Sequence, residues 1–132
     1  MSLIGKRKGR PTTRIQFETI LKRFLGFLKK EVRITQDIPF VLIDDADFSK
    51  NKRTFGLMND GIIYVSIINR HPIDILRTFA HEFIHYKQLI DGKKLLSHAG
   101  SVAENQANAK AGEIMRKYGQ LHPELFDLMP IR

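Results

Sequence analysis

Apolar side chains recur at helical spacing from Ile15 through Phe17, Ile20, Leu21, Phe24, Phe27 and Leu28 to Val32. Lys22, Arg23, Lys29 and Lys30 take the opposite side, so the pattern predicts a first helix that begins at about Arg14 and covers a core. Pro11-Thr12-Thr13 reads as its start, with Thr12 or Thr13 as the cap. Beyond Asp37 the period changes. Phe40-Val41-Leu42-Ile43 is a short continuous apolar run between Pro39 and Asp44-Asp45, which predicts a buried strand. Residues 54–58 and 62–68 flank Asn59-Asp60-Gly61, a sequence suited to a tight hairpin turn. A small sheet of three or four strands is expected.

Helical periodicity returns at Pro72, a residue well placed in a first turn, and runs to about Ile90 before stopping at Asp91-Gly92. A third helix is expected from about Ser101 to Tyr118, closed by Gly119. Pro123 and Pro130 leave room for only a short helix or turn after it. Helix, small sheet, then two helices make the expected fold class α+β.

Composition narrows the chemistry. A chain of 132 residues, 42% hydrophobic and 27% charged, suits one globular domain with a real core. It has no cysteine, which excludes disulfides, thiolate metal sites and cysteine nucleophiles. Catalysis or metal binding must therefore rest on five histidines, the carboxylates and the hydroxyls. No apolar run is long enough to cross a bilayer and no signal-like region opens the chain, so the expected location is cytoplasmic or virion-associated, with no membrane partner.

The net charge of +8 is concentrated early, with Lys6, Arg7, Lys8, Arg10 and Arg14 all preceding the first acid, Glu18. Residues 1–13 read as a basic, flexible arm suited to nucleic acid or another acidic partner, and residues 14–132 as the single folded domain. Without interleaved aromatics the arm is not a nucleic-acid module by itself. Asp44, Asp45 and Asp47 lack the glycine and distal glutamate of a calcium loop and read as solvated turn acids.

The second long helix carries His81-Glu82-Phe83-Ile84-His85. Four residues is little more than one turn, so both imidazoles leave one face and can share a cation. Glu82 lies about 100° around from His81, within reach of a water beside that cation without being a ligand. The chemistry this implies is zinc-assisted water activation, with Glu82 taking the proton. Ile73, Leu76, Phe79, Ala80, Phe83 and Ile90 mark an apolar side, while Arg77, His81, His85 and Gln88 form a polar stripe.

Two histidines need a third ligand. A metzincin would place histidine at position 91 and glycine at 88; here they are Asp91 and Gln88. The third helix offers Ala103-Glu104-Asn105-Gln106-Ala107-Asn108, with Glu104 nineteen positions after His85, room for one turn and a return. Asn108, one turn on, could bond the far nitrogen of either histidine. Ala103, Ala107, Ala109 and Ala111 would keep that helix slim against the first.

His81-Glu82-x-x-His85 followed by Glu104-Asn105-x-x-Asn108 resembles the gluzincin class of zinc metallopeptidases in a minimal form. The resemblance implies a zincin-like fold, zinc held by His81, His85 and Glu104, and Glu82 as general base for peptide-bond hydrolysis. Asn108 stands where many gluzincins carry an aspartate behind the histidines. Small peptidases that cleave phage and stress repressors share the Glu104-x-x-Ala107-Asn108 run, but usually have glycine where this chain has Ile84. In such enzymes an extended substrate lies along an edge strand, and residues 62–68 are the segment expected there.

Alternatives remain at three points. His98, in Ser97-His98-Ala99-Gly100, is similar to the third-histidine region of SprT-like proteases, which act near DNA, and is the rival metal ligand. Tyr118 and His122 are possible oxyanion donors by residue type, as are His98 and the less favourably turned Tyr86. The whole chain could instead be a basic binding protein for nucleic acid or an assembly, its zinc site a structural clip with little turnover.

Overall fold

A computed structural model describes residues 9–52, 54–92 and 101–132. Its long helices are α1 (Arg14–Val32), α3 (Pro72–Ile90) and α4 (Val102–Leu121). A short helix α2 (Asp47–Lys52) and three strands, β1 (Phe40–Ile43), β2 (Gly56–Asn59) and β3 (Ile62–Ser66), lie between α1 and α3, and a 3-10 turn (Pro123–Asp127) follows α4. The chain is α+β, with a three-stranded mixed sheet in the order β1-β3-β2. Among the described residues no helix is long and apolar enough to cross a membrane.

Local chemistry explains the element ends. Thr13, not Thr12, caps α1: its hydroxyl accepts from the Gln16 N–H while the Gln16 side chain accepts from the Thr13 N–H, a reciprocal capping box. Pro72 opens α3 behind His71, whose Nδ1 accepts from the Ile73 N–H and whose Nε2 bonds the Leu128 carbonyl at 2.9 Å. Ser101 caps α4 by accepting from the Glu104 N–H. Asp60 and Gly61, at φ 54° and 76°, form a two-residue turn closed by the Asn59–Ile62 pair. Both residues are left-handed, which matches the natural twist of a hairpin.

Phe17, Leu21, Phe24, Leu28 and Val32 are the buried stripe of α1, facing Ile75, Leu76, Phe79 and Phe83 of α3 and Ile114 and Tyr118 of α4 in one core. α3 is the hub, touching α1, α4, β2, β3 and the 3-10 turn. Burying each large apolar side chain contributes about 1.5–3 kcal/mol, and α3 supplies several.

Several expectations are corrected here. Residues 62–68 are not an edge: β3 is central, parallel to β1 and antiparallel to β2. The β1 run is apolar but lies at an edge, with only Leu42 buried and Val41 39% exposed. Gly119 does not stop α4, which continues to Leu121; the glycine lets the Phe126 ring approach so closely that a Cβ would meet it at 3.1 Å. The helix at Asp47–Lys52 was not foreseen from its acids. The folded body also begins earlier than residue 14, because Thr12 is buried and bridges to Ile131, its hydroxyl donating to the Met129 carbonyl at 2.6 Å. Arg14 is occupied within the fold by Glu18, Asp44 and the Leu42 carbonyl, whereas Lys6, Arg7 and Lys8 lie outside the described residues.

One contact sets how closely the sheet lies on α3. A Cβ at Gly56 would sit 2.5 Å from Cγ2 of Thr78, so β2 can rest on the helix only through a bare glycine. Gly56→Ala is expected to cost about 1–3 kcal/mol in urea unfolding. Thr78→Ser keeps the hydroxyl and removes that methyl, and should recover most of the loss in a double-mutant cycle. Additive losses would show that the methyl is not the obstacle.

Candidate metal centre

α3 and α4 pack against each other more extensively than any other pair of elements, and the cluster forms where they meet. Ala103, Ala107 and Ala111 are the buried small residues that let α4 approach; Ala109, expected to join them, faces solvent. Glu104 sits in the first turn of α4, held by the Ser101 cap, where the helix macrodipole favours an anion. From there its carboxylate reaches both histidines of α3.

The three expected ligands converge. His81 Nε2 lies 2.6 Å from Glu104 Oε1, His85 Nε2 lies 3.2 Å from Glu104 Oε2, and the two Nε2 atoms are 3.1 Å apart. Zinc–nitrogen bonds of about 2.0–2.1 Å in a tetrahedron would separate ligand atoms by about 3.3–3.4 Å. The His81–His85 and His85–Glu104 separations are already near that, and the shorter His81–Glu104 contact, made by the other carboxylate oxygen, is an ion-pair distance. Side-chain exposures of 18%, 12% and 21% for His81, His85 and Glu104 leave the cluster sheltered yet reachable from one side.

Gln88 reveals what the cluster lacks. This glutamine is buried, and its amide nitrogen donates to the Ala103 carbonyl at 3.0 Å. A carbonyl can only accept, so the Gln88 Oε1 must face His85, where it receives Nδ1–H at 2.8 Å. With its Nδ1 proton on Gln88, the Nε2 of His85 faces a carboxylate oxygen at 3.2 Å, a contact that calls for positive charge, either a second ring proton or a bound cation. A divalent cation with nitrogen and oxygen ligands fits that requirement, and no other group of three such side chains is found among the described residues.

Glu82 borders the same opening with its carboxyl pushed up to about 7, chiefly by burial, with Glu104 adding to the rise and His85 opposing it. Burial also draws His81 down from the usual imidazole range, against the pull of the Glu104 charge. Asn108 lines the same opening as His81 and Glu82 and favours the protonated form of His81, so the helix-turn spacing after Glu104 does bring it to the cluster. Gln88 supports His85 directly.

Other expected residues lie elsewhere. Tyr118 is buried against Phe24 and Phe27, about 21 Å along α4 from Glu104. His122 stacks on Tyr118 and bonds Glu124, so neither can donate to an oxyanion at the cluster. Tyr86 packs against the core, and the rival ligand His98 lies outside the described residues. Sequence reading placed Gln88 on the polar stripe without giving it a task. Its position three residues after His85 was the available signal, but the task depends on the Ala103 carbonyl of another helix.

Replacing Gln88 by Leu removes the acceptor from His85 Nδ1 and is expected to weaken zinc binding about 10–100-fold in competition with a chromophoric chelator. Gln88→Glu keeps the acceptor for His85 but loses the donor to the Ala103 carbonyl, and should bind zinc more tightly than Gln88→Leu. Equal weakening in both variants would show that the bond to His85 is not what matters.

No family model, curated protein or solved structure matches this chain.

Proposed function

We propose that this protein is a zinc-dependent peptidase of zincin-like build. The observation that carries the reading is the meeting of His81, His85 and Glu104 around a point that demands positive charge, with Glu82 beside it. Bound zinc would supply Lewis-acid polarisation of a scissile carbonyl and of a water. The chain's own residues do the rest. Gln88 orients the His85 imidazole, and Asn108 lies beside His81. Glu82 accepts a proton from the attacking water and returns it to the leaving amine, a role suited to a carboxyl held near neutrality.

The order of the sheet supports the same reading. β2, not β3, is the edge strand on the side of the cluster, and Thr54, Phe55 and Gly56 at its start share an open depression with His81 and Glu82. A free strand edge beside His81 and Glu82 is what the reading requires for an extended peptide.

Elemental analysis should find about one zinc per chain in the wild type and a large loss in Glu104→Ala. Glu82→Gln should retain the metal while peptide cleavage falls about 10²–10⁴-fold. Zinc retained by Glu104→Ala would move the third ligand to His98. Full zinc-dependent cleavage by Glu82→Gln would falsify the assigned base. Bound zinc without turnover of any peptide by the wild type would favour a structural clip in a basic binding protein.

A further inference from the structure

The opening beside His81 and Glu82 does not end there. A depression of about 270 Å³ at the cluster and one of about 520 Å³ farther along share a wall made by Phe55, Arg77 and Thr78. Together they form a groove that runs from the metal cluster past Arg77 towards Arg70 and Pro130.

Its lining carries two arginines, Arg70 and Arg77, and two acids, Asp74 and Glu82, none of them ion-paired with another. Arg70 is anchored, donating from Nη1 to the Ser66 carbonyl at 2.8 Å and from Nη2 to Thr78 Oγ1 at 2.8 Å and the Asp74 carbonyl at 3.2 Å. The guanidinium also lies 4.3 Å above the half-exposed Phe55 ring. Every one of those acceptors is neutral, so the contacts orient the arginine without cancelling its charge. Arg77 is exposed on α3, one turn before His81. Among the described residues neither guanidinium is ion-paired. Asp74 is the nearest acid to Arg70 and acts on it only through space.

We propose that this groove takes an extended peptide bearing an acidic side chain within about two residues of the bond that is cut, and that Arg77 selects it. The proposal rests on the peptidase reading. Four helical residues place Arg77 about 6 Å along the axis from His81. An extended peptide advances about 3.3 Å per residue, so a carboxylate about two residues from the scissile bond meets this guanidinium. Arg70, held by three neutral acceptors and by the Phe55 ring, adds field, and Phe55 lends an apolar flank. One available guanidinium suits a carboxylate, whose two oxygens match its fork; a phosphate dianion would call for more donors. Because the groove continues beyond Arg77 to Pro130, the chain can pass on, and the carboxylate is a side chain rather than a peptide C-terminus.

The test uses the zinc-loaded full chain and a random dodecapeptide pool, with cut sites read by mass spectrometry. Asp and Glu should be enriched about tenfold over Asn and Gln within two residues of the cut, and less so at high salt. Arg77→Gln should bring that ratio close to one, and Arg77→Glu should invert it towards Lys and Arg. A ratio taken within one enzyme sample is insensitive to partial misfolding. Cleavage without acidic enrichment, enrichment unchanged in Arg77→Gln, or phosphoserine preferred over Glu would each overturn the proposal.

If the wild type cuts nothing in the pool, the peptidase reading falls, and a second measurement still judges the groove. Zinc-loaded Glu82→Gln is titrated by fluorescence anisotropy with labelled Glu-containing and Gln-containing dodecapeptides. Tighter binding of the Glu peptide that vanishes on adding Arg77→Gln supports the groove assignment. Equal binding overturns it.

Discussion

The packing of α3 against α4 is the constraint on which the rest of this structure depends, because it brings His81, His85 and Glu104 together. His85 Nε2 and Glu104 Oε2 stand 3.2 Å apart, while the opposite ring nitrogen of His85 bonds Gln88 Oε1. Left without a positive centre, that arrangement is a local cost. It persists because the elements carrying it are fixed for other reasons. α3 is anchored by Ile75, Leu76, Phe79 and Phe83 in the core, and α4 by Ala107, Ala111 and Ile114. Neither helix can turn its polar side chains away without unpacking that core, which costs several kcal/mol per large residue. A bound cation would convert the same geometry from repulsive to attractive, so metal affinity and fold stability are linked through one pair of atoms.

Gln88 ties the packing to the chemistry. Its amide spans the two helices, bonding a histidine on its own helix and a backbone carbonyl on the other. Helix–helix docking and histidine orientation therefore cannot be separated. Asn108 on α4 lies beside His81 at the same opening. Each histidine has a carboxylate oxygen in front of it, and His85 has the Gln88 amide to steady it.

How much of this was legible in the sequence follows from the range of each cause. The limits of α1 and α3 depend on local periodicity and on Thr13, Pro72 and Asp91-Gly92, all readable within a few residues. The pairing of His81 with His85 was readable too, because a spacing of four on one helix fixes a shared face wherever that helix goes. Strand order was not. An apolar run such as Phe40–Ile43 looks the same at an edge as in the centre, and β3 becomes central only because β1 pairs with it from beyond the hairpin. Gly119 misled for a related reason: its lack of a side chain accommodates Phe126, a tertiary contact, rather than ending the helix. Tyr118 was eligible by type, and only the direction of α4 shows that it lies in the core beyond reach of the cluster.

Charge follows a spatial order that sequence counts conceal. The acids nearest the cluster, Glu82 and Glu104, lie at its sheltered centre, while Arg70 and Arg77 stand with Asp74 along the groove that leads away from it. An anion entering near Arg77 is drawn to the guanidinium but kept from the centre by Glu82 and Glu104, unless a cation there offsets them. A carboxylate on the peptide should therefore be steered to the rim and a neutral peptide group to the middle. That separation would orient a substrate before any backbone contact forms, and it depends on the metal: with the centre empty, the two glutamates also resist the approach of any electron-rich carbonyl. A cation that relieved the clash of His85 and Glu104 would thus also be the one that lets the proposed groove accept a peptide.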